Sequence, residues 1–145
     1  MESAIARSRL DPGRLQLEVA ERVVVDRPST MTAASLDGLR RLGAKVTLDG
    51  FGSFHAAMLS LRRLRLDQLK VDRCLVSGVP DDPAACAIVE AALTSARQIG
   101  LATSAAGIED ERQLRWLAGR GCQFAQGFLL GSACPAVEFE RRFLP

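Results

Sequence analysis

Five short apolar runs are spaced along this chain, and longer stretches with helical spacing of apolar residues separate them. The runs lie at about 15–20, 45–49, 67–71, 101–105 and 123–127 and predict strands. The sequence before the turn Asp11-Pro12-Gly13 reads as the tail of a helix over 2–9. Ser29 or Thr30 can cap a helix with Met31, Leu36, Leu39 and Leu42 on one side and Gly43 as its stop. A short helix carrying Met58, Leu59, Leu61 and Leu64 leads into the third strand. Asp81-Asp82-Pro83, a carboxylate followed by proline, starts a helix that runs to Gly100. Glu109-Asp110-Glu111 starts another that stops near 119–121, and Pro135 to Phe143 forms the last.

The order is a helix followed by five strand–helix units. Strands separated by helices run parallel, and parallel sheets are covered by helices. The expected architecture is therefore α/β, with one domain over residues 1–145. In such folds the carboxyl ends of the strands open onto one crevice. The first run ends on Glu18, the second on Asp49, the third on Lys70 and Asp72, and the last on Gln126, so these groups should converge. The run at 101–107 belongs to the same series but ends on Ala106 and Gly107, with no ionisable group.

Composition narrows the classes. Apolar residues make up 48% and charged residues 25% of the chain, the balance of a globular protein. A net charge of +2 does not point to nucleic acid, even with the local cluster Arg62, Arg63 and Arg65, which reads as a solvated helix end. No apolar stretch is long enough to span a membrane, and the first residues lack a secretory pattern, so a cytoplasmic location is expected. Cys74, Cys86, Cys122 and Cys134 form no CxxC pair and read as buried free thiols. His55 is the sole histidine, without the context of a catalytic triad.

Several motifs carry a family resemblance. In order, they are Leu17-Glu18-Val19-Ala20-Glu21, Leu48-Asp49-Gly50-Phe51-Gly52, Leu69-Lys70-Val71-Asp72-Arg73, Ala105-Ala106-Gly107-Ile108-Glu109, and Gly121-Cys122 with Gln126-Gly127-Phe128. Together they resemble the EAL domain, the bacterial family of cyclic di-GMP (cyclic diguanylate) phosphodiesterases, over residues 10–143. The resemblance implies a (β/α)8 barrel of TIM type, of which this chain holds a five-strand part. A complete barrel of that kind takes about 250 residues and eight strands. The strands that carry the family's name motif and an asparagine metal ligand are not among those matched here.

The resemblance also implies roles. Glu18 and Asp49 match metal ligands for Mg²⁺ or Mn²⁺. Lys70 matches the lysine that helps hold the attacking water and phosphate, and Glu109 and Gln126 match ligand-contacting positions. Glu21 matches a glutamate that steadies the loop after the second strand. Two departures weigh against catalysis. Ala106 stands where the family has a catalytic glutamate, and Gly50 stands where it has a second-metal aspartate. Phe54 and His55 depart from the family's loop as well. Two carboxylates are few for a cation that takes six oxygens, so no productively bound cofactor is expected. Lys70 between Glu18 and Asp49 would instead make an ion-pair network without metal. Trp116 reads as core, and Asp72 as part of a strand-to-helix connection.

The expected function is thus a degenerate, non-catalytic member of cyclic di-GMP signalling: a ligand sensor, an interaction module or a remnant. The alternative is part of an active phosphodiesterase completed by further segments. Possible partners are cyclic di-GMP and another chain, or a second copy, covering open sheet edges.

Overall fold

The computed structural model describes residues 7, 10–26, 30–52 and 65–144. The expected helices over 2–9 and around 58–64, together with Ser29, Phe54, His55, Arg62 and Arg63, lie outside these residues, apart from Arg7, which is helical. The sheet contains β1 (Gln16–Ala20), β2 (Lys45–Phe51), β3 (Gln68–Val71), β4 (Ala102–Ala106) and β5 (Phe124–Gln126). Their spatial order is their chain order and every pairing is parallel. The five-strand α/β expectation and the strand positions hold to within two residues. β1 and β5 are the sheet's edges.

The helices are α1 (Glu21–Asp26), α2 (Thr30–Arg41), α3 (Arg73–Val76), α4 (Pro83–Gln98), α5 (Glu111–Gly119) and α6 (Ala136–Phe143). Local chemistry explains their starts. Asp82 caps α4 by accepting the Ala84 N–H at 2.8 Å, with Pro83 at the first helical position. Asp72 caps α3 by accepting from the Cys74 N–H. At α5 the Asp110 carboxylate accepts from Arg112 and Gln113 N–H, while the Gln113 side chain accepts from Asp110 N–H in return. This reciprocal pair satisfies donors that a helix start leaves open. The cap is therefore Asp110, with Glu109 one residue ahead of it.

The core lies on one side of the sheet. In the first cluster Val46, Leu48 and Leu69 pack under Leu36 of α2 and Ala92 and Ala96 of α4. In the second, Val71 and Ala105 meet Val89 and Leu93 of α4 and Leu117 of α5. α4 bridges both because Ala85, Val89, Ala92, Leu93 and Ala96 repeat at three- and four-residue steps. Trp116 packs at the margin of the second cluster, with the Arg120 guanidinium 3.7 Å above its ring. Leu69 is fully buried in the central strand. Leu69→Ala should lower unfolding free energy by about 2–5 kcal/mol, measured by urea denaturation.

The opposite face is polar. Side chains alternate along a strand, so Gln16 and Glu18 share it with Thr47 and Asp49, with Gln68 and Lys70, and with Ser104 and Ala106. Gln16 Nε2 donates to Thr47 Oγ1 at 2.5 Å and to Gln68 Oε1 at 2.9 Å, tying three strands at their amino ends. The interior of a complete barrel is usually filled with Val, Ile and Leu. Here that face carries amides, hydroxyls and charges.

Candidate functional site

Glu18, Asp49 and Lys70 stand at or near the carboxyl ends of three adjacent parallel strands. Pairing brings Glu18 opposite Thr47 and Leu48 opposite Leu69, and alternation then turns all three side chains to the polar face. Lys70 Nζ donates to Glu18 Oε1 at 2.8 Å and lies 3.7 Å from Asp49 Oδ1. The lysine side chain is 10% exposed, against 45% for Glu18 and 39% for Asp49. One ammonium thus serves two carboxylates from below, and the carboxylates face outward.

β2 runs on past Asp49. Gly50 and Phe51 continue the strand, and the β2–β3 register shifts between Leu48 and Phe51. Gly50 has φ 77°, a left-handed conformation that glycine adopts without steric cost. The chain beyond the expected strand end at 49 is therefore still strand, bulged and running on to Phe51, which is turned into the core. Beyond the bulge, the Gly52 N–H donates to Glu21 Oε2 at 3.2 Å. Glu21, 2% exposed, thereby joins the start of α1 to the chain leaving β2.

On the other side of Lys70 the site loses its charge. Lys70 pairs with Ser104 in register, and Ala106, two residues on, pairs with Gln126. Ser104 Oγ is buried and has no hydrogen-bond partner among the described residues. The exposed Gln126 gives its backbone oxygen to the Ile108 N–H. Glu109 is also exposed, and its backbone N–H donates to Gln113 Oε1 at 2.8 Å. Neither the Glu109 nor the Gln126 side chain bonds to the Lys70 group among the described residues.

The comparisons with known proteins decide the family. The EAL domain family matches residues 1–133. This chain belongs to the EAL family. It is 35% identical over 138 residues to the bifunctional diguanylate cyclase/cyclic di-GMP phosphodiesterase MucR of Pseudomonas aeruginosa, covering 95% of this chain and 20% of MucR. The solved MucR phosphodiesterase in complex with c-di-GMP superposes with a TM-score of 0.88 at 34% identity, covering 95% of this chain and 56% of that one. The EAL domain of Mycobacterium smegmatis DcpA gives a TM-score of 0.89 at 34% identity, over 96% of this chain and 62% of that one. A manganese/c-di-GMP complex of Klebsiella pneumoniae BlrP1 gives 0.81 at 28% identity, over 88% of this chain and 32% of that one. The fold is accordingly part of the EAL barrel. The chain spans about a fifth of the curated relative's length and just over half of the solved MucR and DcpA chains.

EAL relatives are solved with divalent cations, which makes the donor set the question. Hard divalent ions need several oxygen ligands. Among the described residues, no three His, Cys, Asp or Glu side chains cluster to offer them. The two carboxylates at the mouth of the sheet are already engaged by an ammonium, and Ala106 offers a methyl group. The described residues alone do not offer the ligands that a divalent pair needs. Thiolate chemistry has no better footing. Burial pushes the Cys122 thiol up, and partial desolvation with the neighbouring Asp72 carboxylate does the same to Cys74. Contrary to the sequence expectation, Cys74 is exposed, since it lies in the first turn of the short α3, and the other three cysteines are only partly buried.

Sequence reasoning missed α1 and α3, which are too short to show a helical period, and read Glu109-Asp110-Glu111 as an acidic helix start without singling out Asp110 as the cap. The signal for the latter was readable, since aspartate followed three residues later by glutamine is a capping-box pattern.

Proposed function

We propose that this chain is a non-catalytic EAL domain of cyclic di-GMP signalling that recognises the dinucleotide or a protein partner without hydrolysing it. The observation that carries the reading is Ala106 at the end of β4, a methyl group in line with Gln126 and two residues from the partner of Lys70. The EAL motif has a glutamate there. A missing general base costs about 10²–10⁴ in rate, and the engaged state of Glu18 and Asp49 works against metal capture as well.

In this reading Lys70 is the counter-ion of Glu18 and Asp49. Glu109 and Gln126 are the ligand-contacting side chains, and Glu21 holds the chain after β2. No helix among the described residues is long and apolar enough to cross a membrane, and the domain acts in the cytoplasm.

The test is to incubate the purified chain with cyclic di-GMP and Mg²⁺ or Mn²⁺ and follow the linear dinucleotide by chromatography. No product above the protein-free blank is expected, and any calorimetric binding should be unchanged by divalent ions. The double substitution Gly50→Asp, Ala106→Glu should stay silent too. It restores two carboxylates, but the ligands on strands outside this chain remain absent. The aspartate placed at position 50 also inherits a left-handed backbone. Turnover by either protein would overturn the proposal.

The second reading, an active phosphodiesterase completed by another segment, is favoured by the partial coverage of the solved relatives. Any completed domain still inherits Ala106, so the first reading stands ahead of it.

A further inference from the structure

The net charge of +2 hides a separation of charge between the two ends of the sheet. Because the strands are parallel, the segments leading into β1, β2 and β3 share the side away from Glu18 and Asp49. Arg14 ends a 3-10 turn before β1, Arg40 and Arg41 end α2, Lys45 opens β2, and Arg65 precedes β3. Backbone and side-chain contacts draw these five cations into one patch. Arg40 Nη1 donates to the Arg65 carbonyl at 2.6 Å and to Asp67 Oδ2 at 3.3 Å, and the same oxygen accepts the Val46 N–H at 2.8 Å. The Lys45 N–H donates to the Leu15 carbonyl at 2.9 Å. Gly43 packs on the turn so closely that an added Cβ would stand 3.1 Å from the Pro12 Cβ. The carboxylates within the patch are engaged, Asp67 as above and Asp11 by the Gly13 N–H, and Asp37 lies one turn back along α2. Arg14, Arg41, Lys45 and Arg65 are exposed and make no salt bridge among the described residues. A helix C-terminus favours cations, which accounts for Arg40 and Arg41 but not for the other three. The opposite rim is acidic, with Glu18, Asp49 and the helix caps Asp72, Asp82 and Asp110.

We propose that the patch of Arg14, Arg40, Arg41, Lys45 and Arg65 docks the domain on an anionic phospholipid surface, with the Glu18–Lys70–Asp49 mouth turned away into solution. Such a surface attracts clustered Lys and Arg side chains and repels carboxylates. The two rims stand one strand apart, roughly 15 Å, so the same field that holds the basic rim pushes the acidic rim outward. Headgroups fit better than nucleic acid does. The patch is built from strand starts and a helix C-terminus, so it presents no helix N-terminus to a phosphate and no element that enters a groove. The aromatic side chains exposed among the described residues, Phe124, Phe128, Phe139 and Phe143, belong to β5 and the segments after it, so the patch has no base-stacking platform. The inference stands on the placement of charge and is independent of whether the mouth turns over a ligand.

The experiment sediments the purified chain with vesicles of phosphatidylcholine containing phosphatidylserine, and with vesicles of phosphatidylcholine alone. The chain should pellet with the anionic vesicles at low ionic strength, return to solution as salt is added, and ignore the neutral ones. Each cation near such a surface strengthens binding about fivefold. Arg14→Glu with Arg65→Glu, both at exposed positions outside the strands, should therefore cut partition about tenfold or more. Arg65→Gln alone should cut it about fivefold, which keeps the test open if the double variant fails to fold. Arg22→Glu, an exposed position at the acidic rim, should leave partition within about twofold of the parent. Hydrogen exchange with vesicles present should slow over residues 43–46 and 65–67 and stay unchanged over 107–110. Failure to pellet with the anionic vesicles, or equal pelleting with the neutral ones, overturns the proposal. So does an equal loss with Arg22→Glu, tighter retention on duplex RNA at the same salt, or salt-sensitive self-association through Arg14 and Arg65 without lipid. Hydrolysis of cyclic di-GMP would refute the non-catalytic reading and leave the lipid surface untouched.

Discussion

Gly127→Ala should abolish cooperative folding or cost more than about 3 kcal/mol of stability, a larger effect than truncating any single core side chain outside the central strands. A Cβ on residue 127 would lie 2.0 Å from the Ile108 carbonyl oxygen and 2.3 Å from its amide nitrogen. Both are backbone atoms, and both are already bound. The Ile108 N–H donates to the Gln126 carbonyl at 3.1 Å, and the Leu129 N–H donates to the Ile108 carbonyl at 3.2 Å. Residue 127 is thus bracketed by two hydrogen bonds to the same residue. A methyl group there must break at least one of them and push β5 away from the turn after β4. Urea titration followed by circular dichroism gives the measurement, and a midpoint unchanged from the parent would refute the packing argument.

Lys70→Met should turn the mouth of the sheet from indifferent to Mn²⁺ into a weak binder, with apparent affinity rising about tenfold or more. The methionine keeps much of the length of the side chain and removes the ammonium, which lies 2.8 Å from Glu18 and 3.7 Å from Asp49. Even with the dielectric of water, a unit charge about 4 Å from a divalent ion opposes it by about 2 kcal/mol. Because both carboxylates are more than a third exposed, solvent and salt screen this repulsion, and the low end of the range applies. Mn²⁺ titration monitored by water-proton relaxation should show the gain at low ionic strength and its decline with added salt. The parent protein binding Mn²⁺ as tightly as the variant would remove Lys70 from its counter-ion role. Turnover is not expected from Lys70→Met, since Ala106 remains.

Much of this fold was readable because its signals are local and redundant. Asp82-Pro83 and Gly100 bound α4 at both ends, and the repeated apolar runs marked every strand of the sheet. The end of β2 was not readable. Asp49-Gly50 looks like a strand stop, since glycine is depleted in strands. Only the pairing with β3 reveals that Gly50 adopts its positive φ inside a bulge and delivers Phe51 to the core. α1 and α3 were hidden for a different reason. A helix of one turn or little more carries no period, and α3 exists because Asp72 caps it from the end of β3. At the site, the convergence of Glu18, Asp49 and Lys70 follows from parallel pairing and could be argued from the run ends alone. What the sequence does not encode locally is how deep each group lies. That Lys70 is nearly enclosed while its carboxylates face outward depends on its place in the middle of the sheet.

The one-sided core has a consequence for how such a protein can be divided. Hydrocarbon is stored between strands and helices, and the concave side carries groups that tolerate water. Cutting the barrel lengthwise therefore lays open a wettable trench instead of an oily interior, and the sticky surface is confined to the cut itself.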